Sequence, residues 1–148
     1  MPAVYPPRVV PPTHRGDYPH MAKRDAEVWS RFLGARAGEF LGFAYDVAVG
    51  GVRLATPDLP QAEVDGWRYN TALKIDVCGL QRDTTWIIEV KPDATVSAVG
   101  AAIVYTMIVE REKVFDGALL PVIVCGFCHV DVKWAALKLG VEVIEVGV

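Results

Sequence analysis

The chain of 148 residues lacks an apolar run long enough to span a lipid bilayer. Its longest mostly apolar stretch, residues 98–109, contains Tyr105 and Thr106 and is shorter than the roughly 20 residues that a membrane-spanning helix needs. The N-terminus carries prolines where a signal peptide needs an apolar segment. We therefore expect no membrane partner and a cytoplasmic location, which for a viral chain means the host cytoplasm or the virion.

Cysteine is scarce, with three residues, so we expect no disulfide framework. Residues 125–129 read CGFCH, which matches the attachment pattern of c-type haem. We expect no haem, because this stretch directly follows a predicted strand and nothing else indicates haem binding. A zinc site is also poorly supported, since only Cys78 remains as a cysteine ligand beside these residues. Phosphate-binding glycine loops and the G-x-S-x-G motif of serine hydrolases are absent from the sequence.

The sequence also has no excess of positive charge. The net charge is -3, which taken alone disfavours nucleic acid as a partner. Residues 1–36 nevertheless hold six basic residues against three acidic ones. A basic first quarter of the chain is suited to contact phosphate groups, although an ordinary solvated helix has the same composition.

The chain does have the apolar content of a globular domain, with 52% hydrophobic residues. A length of 148 residues is typical of one domain and is sufficient to bury a large core. The first 20 residues are rich in proline and predict an extended N-terminal arm. Residues 21–148 then predict a single domain.

The spacing of apolar residues predicts an α/β fold with a mixed sheet flanked by helices on both faces. Gly50 and Gly51 predict a hairpin turn, and the helix at residues 95–113 is apolar nearly all round, so we expect it to be buried on more than one side. The predicted elements are a helix at 21–36, strands at 43–49 and 52–54, a loop at 56–66, strands at 72–80 and 84–91, a helix at 95–113, a strand at 119–125, a helix at 130–139 and a strand at 141–146.

Charged residues stand in two neighbouring predicted strands. Alternation places Asp76 with Lys74 and Cys78 on one face of the first strand, and leaves Leu73, Ile75 and Val77 on the other. In the next strand, Glu89 and Lys91 share a face with Ile87. A short polar turn joins the two strands, so they pair antiparallel and can bring Asp76 close to Glu89.

Two close carboxylates repel each other, and burial disfavours both charges further. A divalent cation such as Mg²⁺, which takes oxygen ligands and keeps several waters, removes this repulsion. The sequence therefore predicts a metal site made by Asp76, Glu89 and the backbone carbonyl of Val90. Lys91 would assist the attacking water or stabilise charge on a phosphate.

Asp76 followed by Glu89-Val90-Lys91 in the adjacent strand resembles the signature of the PD-(D/E)XK nuclease superfamily, over roughly residues 21–126. The resemblance implies a restriction-endonuclease-like αβββαβ core, to which this chain adds a C-terminal helix and strand. It also implies Mg²⁺- or Mn²⁺-dependent hydrolysis of DNA phosphodiester bonds. Ile75 departs from the pattern, because it stands where the name of the superfamily has proline. Many members complete the metal site with a glutamate of the first helix, for which Glu27 is the candidate and Glu39 the fallback.

Some members of this superfamily carry a glutamine and a tyrosine in the helix after the E-x-K strand. Here Tyr105 is present, whereas Ala101 stands where the glutamine is expected. Further DNA contacts are expected from Arg24, Arg68 and Lys74. Cutting both strands of a duplex would require two sites, so a homodimer is expected, with the helix at residues 95–113 as one candidate interface.

A second function stays open at this point. Small proteins that resemble this superfamily occur among phage assembly proteins, in head completion and DNA packaging, and there the nuclease-like site is idle or used narrowly. The proline-rich arm, the overall acidity and the missing glutamine agree with such a structural role. The chain is then expected to have protein partners and weak or no cleavage activity.

Overall fold

The computed structural model describes residues 7–16, 18–54 and 58–147. It is a mixed α/β fold with a six-stranded sheet in the order β1-β2-β3-β4-β5-β6. The strands β1 to β4 pair antiparallel, whereas β4, β5 and β6 are parallel. The elements are β1 (Val9–Val10), α1 (Lys23–Arg36), β2 (Gly42–Val49), α2 (Gln61–Thr71), β3 (Leu73–Leu80), β4 (Thr84–Ala94), α3 (Val96–Glu112), β5 (Ala118–Cys128), α4 (Val130–Lys138) and β6 (Glu142–Glu145).

Helices cover both faces of the sheet, as predicted. On one face, Trp29 and Phe32 of α1 pack in a core cluster with Trp86, Ile88 and Val124 of the sheet. On the other face, α3 and α4 pack together against β5. Both of these helices connect neighbouring parallel strands in the same direction, and right-handed crossovers place such helices on the same face. Among the described residues, no helix is long and apolar enough to cross a membrane.

The predicted hairpin after Gly50 and Gly51 is wrong. Strand β2 pairs with β1 and β3, and residues 52–54 belong to no strand. Gly51 has a φ of 87°, and a Cβ atom there would collide with the carbonyl oxygen of Arg68. The N–H of Val52 donates a hydrogen bond of 2.6 Å to Thr71 Oγ1. The chain therefore leaves the sheet at these glycines and packs against the end of α2.

The predicted loop at residues 56–66 is also wrong where the structure describes it, because α2 begins at Gln61. None of the residues of α2 is buried, and Gly66 in its middle weakens the helix signal of the sequence. A hydrogen bond of 2.9 Å from Gln61 to Asp65, one helical turn apart, supports its first half.

Two further boundaries differ from the sequence predictions. Strand β4 continues through Pro92 to Ala94, because Pro92 lies between Lys91 and Asp93, which both keep their partners on β5. In the predicted N-terminal arm, β1 pairs with β2 at the edge of the sheet, while residues 1–6 and residue 17 lie outside the described part of the chain.

Candidate active site

The candidate site lies where β3 and β4 separate. The two strands pair from Leu80 and Thr85 to Val77 and Ile88, and beyond that point β3 follows β2 while β4 follows β5. The next residues on the diverging strands are Asp76 and Glu89. A gap in a sheet leaves backbone groups without ladder partners, and here the N–H of Val90 donates a hydrogen bond of 2.9 Å to Asp76 Oδ2. The Asp76 carboxyl therefore accepts the hydrogen bond that a carbonyl of a neighbouring strand would otherwise accept from Val90.

The alternation of β3 breaks at this level. The prediction that Ile75 and Val77 share a face is wrong, because Val77 packs in the cluster on the α1 side and Ile75 in the cluster on the α3 side. Asp46, which lies opposite the residue between them, has a φ of 49°. This left-handed backbone is strained in a non-glycine residue. It turns β2 and the paired β3 at this level, so that Val77 and Ile75 lie on opposite faces of the sheet. Asp46 is held by His20 Nε2 at 3.1 Å and by the hydroxyl of Tyr69, which donates at 3.3 Å.

Glu89 is the most unusual residue of the site. It is 6% exposed, and no donor group among the described residues contacts its buried Oε2 atom. When it is protonated, the Glu89 carboxyl can share its proton with Asp76. Its other oxygen lies 3.4 Å from the ammonium nitrogen of Lys91. Burial, followed by the negative charge of Asp76, raises the pKa of Glu89 to about 7. Near neutral pH the Glu89 carboxyl is therefore about half protonated, and above that pH it is a carboxylate that lacks a full set of partners.

Asp76 and Lys91 complete the predicted cluster. Burial raises the pKa of Asp76, although the hydrogen bond from Val90 and the charge of Lys91 act in the opposite direction. Burial alone would lower the pKa of Lys91, but the charges of Glu89 and Asp76 outweigh this effect and raise it. The Lys91 side chain is 43% exposed. The site therefore has one buried carboxyl, Glu89, one partly buried carboxyl, Asp76, and a cation that reaches solvent.

The first helix contributes Asp25 to the charges around the site, whereas Glu27 is not among them. The charge of Asp25 raises the pKa values of both Asp76 and Lys91. Glu27 is exposed and lines a separate surface cleft between the N-terminal segment and α1. The sequence holds a signal that separates the two residues, because Asp25 precedes the buried Trp29 by one helical turn and so lies on the sheet-facing side.

A pair of substitutions tests this difference. If Asp25 tunes the site, Asp25→Asn is expected to reduce metal affinity or cleavage about tenfold, as other residues that orient metal ligands do. Glu27→Gln is the matched control on the same helix and is expected to leave both unchanged. Metal titration by calorimetry, together with the rate of cleavage, measures the two variants. Equal losses in both would show that the helix as a whole matters, and not Asp25.

Tyr105 of α3 lies near the carboxylates, while Ala101 offers no polar group on that helix. Burial, followed by the charges of Glu89 and Asp76, raises the pKa of Tyr105. The tyrosine is partly buried against the core cluster on the α3 side. Its hydroxyl is therefore placed to influence the site from the helix that covers it.

The basic residues predicted to contact DNA are dispersed. Lys74 donates to the backbone carbonyls of Tyr69 and Ala72, at 3.0 Å to the latter, so its ammonium is engaged by the protein. Arg68 forms an ion pair with Glu112 at 3.0 Å. Arg24 is largely exposed and lies 3.9 Å from Asp93, just beyond the E-x-K triplet. Of these three, Arg24 is therefore the best placed to meet a ligand at the site.

The remaining candidates have structural partners. Glu39 forms a two-pronged ion pair with Arg36, at 2.7 and 2.8 Å, and is not among the charges that act on Asp76 or Glu89. Cys125 and Cys128 are buried as free thiols, and burial raises the pKa of both. The side chain of His129 caps the start of α4 by accepting from the N–H of Asp131 at 3.1 Å. The CGFCH stretch is therefore accounted for by the core and by a helix cap.

The carboxylate oxygens at the site suit Mg²⁺ or Mn²⁺ better than zinc. Within residues 7–16, 18–54 and 58–147, no group of three or more histidine, cysteine, aspartate or glutamate side chains is arranged to hold a metal. Asp76 and Glu89 supply two carboxylates, and one oxygen is buried without a partner. Mg²⁺ binds through one or two carboxylates and retains water ligands, whereas structural zinc needs four nitrogen or sulfur ligands. The pair thus suits Mg²⁺ or Mn²⁺.

Comparison of the chain with models of protein families, with curated proteins and with solved structures found no match. The resemblance to the PD-(D/E)XK superfamily therefore stays a prediction from the sequence.

Proposed function

We propose that this chain is a metal-dependent nuclease that hydrolyses DNA phosphodiester bonds at the Asp76–Glu89–Lys91 site. The observation that carries the proposal is the buried Glu89 Oε2, which has no hydrogen-bond partner and lies beside a second carboxylate. Above its pKa of about 7, Glu89 is a buried carboxylate without a full set of donors. Such a group is costly, and a protein retains it where a ligand binds to it. A divalent cation is the ligand that two adjacent carboxylates select.

Each residue has a distinct part in this proposal. Asp76 and Glu89, with the backbone carbonyl of Val90, hold a Mg²⁺ or Mn²⁺ ion. When bound, the ion supplies Lewis acidity to the phosphate and makes water a better nucleophile. Lys91 extends from the buried pair towards solvent, so its ammonium is positioned to stabilise negative charge on the phosphate or to orient the attacking water. Tyr105 adds a hydroxyl near the same place.

The fold supports assignment to the restriction-endonuclease-like core. The chain order α1, β2, β3, β4, α3, β5 gives helix, three strands, helix and strand, with α2 inserted between the first two of these strands. The carboxylates lie on the second and third strands of that order, where these strands separate. We further propose that α4 and β6 are additions to this core, and that the chain is a small, phage-type member of the superfamily.

Cleavage assays test the proposed function directly. Plasmid, linear duplex and branched DNA are incubated with the purified protein in Mg²⁺, in Mn²⁺ or in EDTA, beside an Asp76→Ala variant. We expect metal-dependent cleavage by the wild type of at least one of these substrates, and its loss in EDTA and in the variant. Matched RNA substrates in parallel show whether the activity is confined to DNA.

Two results would contradict the nuclease proposal. Cleavage that persists equally in the Asp76→Ala variant would indicate a contaminating enzyme or another site. A complete lack of cleavage by folded wild-type protein on every substrate would favour the alternative role as an assembly protein with a nuclease-like fold. Circular dichroism of both proteins establishes that they are folded before the comparison is made.

A further inference from the structure

Helix α3 presents an apolar face to solvent. Residues 96–109 contain no charged side chain, so we expected this helix to be buried on more than one side. The structure shows instead that Val96, Val104 and Met107 are exposed, by 76%, 46% and 63%. These residues follow one another at intervals of eight and three, and therefore lie on one side of the helix. A helix surface of this kind is normally covered.

Helix α4 extends the same surface. Val130, Trp134 and Leu137 are spaced four and three residues apart, so they also share one side of their helix, and they are 73%, 64% and 60% exposed. Since α3 and α4 pack together on the same face of the sheet, their outward sides are neighbours. We call these six residues the α3–α4 surface.

We propose that the α3–α4 surface is the interface through which two copies of this chain form a two-fold symmetric dimer. If each of the six side chains exposes on the order of 100 Å², the surface presents roughly 600 Å² of apolar area. Isolated apolar patches on monomers reach this size only at their upper limit. A standard stable interface buries about 800 Å² on each partner, of which the rim is polar. The apolar area therefore matches the core of one such interface.

The charges at the rim favour a second copy over a partner of strong charge. Glu110 and Asp131 are acidic and exposed, whereas Arg111 and Lys138 are basic and exposed. The two signs balance, so the surface neither repels its own copy nor attracts the polyanionic backbone of DNA. In a two-fold interface the same surface of both subunits meets, so that each contact occurs twice. A rim with both signs of charge allows opposite charges to pair across it.

The shape of the surface also suits self-association. Trp134 projects from α4, whereas Gly100 on the outward side of α3 has no atom within 4 Å of the place where a Cβ would stand. A projecting ring and an open, small-residue position on one surface can pair reciprocally across a two-fold axis. Tyr105, on which the charges of Glu89 and Asp76 act, lies on nearly the opposite side of α3 from Met107. The dimer therefore leaves the candidate active site uncovered.

The oligomeric state of the full chain tests this interface. Light scattering on a size-exclusion column is expected to give about twice the 16.2 kDa of one chain for the wild type. Met107→Lys and Trp134→Lys are each expected to give the mass of a single chain, because each places a charge within the apolar surface. Trp67→Lys is the matched control, since Trp67 is a similarly exposed tryptophan on α2, outside the surface.

Several outcomes would overturn the proposal: a wild type that stays monomeric at high micromolar concentration, surface variants that stay dimeric, or a control variant that becomes monomeric. Unchanged circular dichroism shows that a monomeric variant has kept its fold. The dimer does not depend on the nuclease proposal, since mass and cleavage are measured separately. A dimer without cleavage would remove only the nuclease, and an active monomer would remove only this interface.

Discussion

Replacing Lys91 by methionine is expected to reduce DNA cleavage roughly 10²–10³-fold, which is the effect of removing one group that stabilises charge in a transition state. The methionine side chain has a similar length and no charge, so packing changes little. The Lys91 ammonium lies 3.4 Å from Glu89 Oε1 and reaches solvent. The pairing of β4 with β5 holds the strand in the sheet and does not depend on this side chain. We therefore expect the variant to fold and to hold the metal ion at saturating concentration.

The control for this substitution is Lys74→Met. Lys74 belongs to the adjacent strand β3, but its ammonium is bound to the carbonyls of Tyr69 and Ala72 and not to the carboxylates. Single-turnover cleavage rates of both variants, measured at saturating metal, separate the two lysines. Cleavage by Lys91→Met within about tenfold of the wild type would contradict a direct role in the chemistry, because general acid–base or charge-stabilising groups contribute more than that.

The second large effect concerns stability in the absence of metal. The pKa of Glu89 rises from 4.5 to about 7 in the folded protein. A carboxylate with a raised pKa favours the folded state while it is protonated, and this contribution is lost as the pH rises through the folded-state pKa. Since each pKa unit corresponds to about 1.4 kcal/mol, we expect Glu89 to cost the metal-free protein on the order of 2 kcal/mol of unfolding free energy between about pH 5 and pH 8.

Glu89→Gln removes the titration while keeping the size of the side chain. At about pH 8 in EDTA the variant is expected to be more stable than the wild type, and near pH 5 the two should converge. Urea denaturation of both proteins at both pH values measures the difference, because subtracting the variant from the wild type cancels the titration of groups that do not interact with Glu89. Adding Mg²⁺ at pH 8 should stabilise the wild type and not the variant. A wild type that equals the variant at pH 8 would mean that the Glu89 charge is already compensated without metal.

Much of the fold follows from local sequence patterns. The helices α1, α3 and α4 and the strands β3 to β6 lie close to their predicted positions, because their apolar spacing or their short apolar runs reflect burial against a sheet. Helix α2 was missed because it follows a proline-containing segment, buries no residue and contains Gly66, all of which are also typical of a loop. The false hairpin arose because paired glycines allow a tight turn but equally allow a chain to leave the sheet.

The candidate site shows the same limit. Asp76, Glu89 and Lys91 were found because alternation and a short connecting turn fix which residues of two strands are neighbours. The separation of β3 from β4 at Val77 could not be predicted from the sequence, because it depends on the pairing of β3 with β2 and of β4 with β5. Asp25, whose charge acts on Asp76 and Lys91, was not predicted, because the choice in the first helix followed residue type and not helical phase. The exposed face of α3 was not predicted, because an apolar composition does not show whether other parts of the chain pack against each side of the helix.

The measurement that tests the central claim most directly is a Mn²⁺ titration of the purified protein by calorimetry, without DNA. Wild-type protein is expected to bind the ion, and both Asp76→Asn and Glu89→Gln are expected to weaken binding severely. Glu27→Gln should bind as the wild type does, because Glu27 is neither assigned as a ligand nor among the charges that act on Asp76 and Glu89. Absence of binding by the wild type, or binding that survives in both carboxylate variants, would contradict the claim that Asp76 and Glu89 form a metal site.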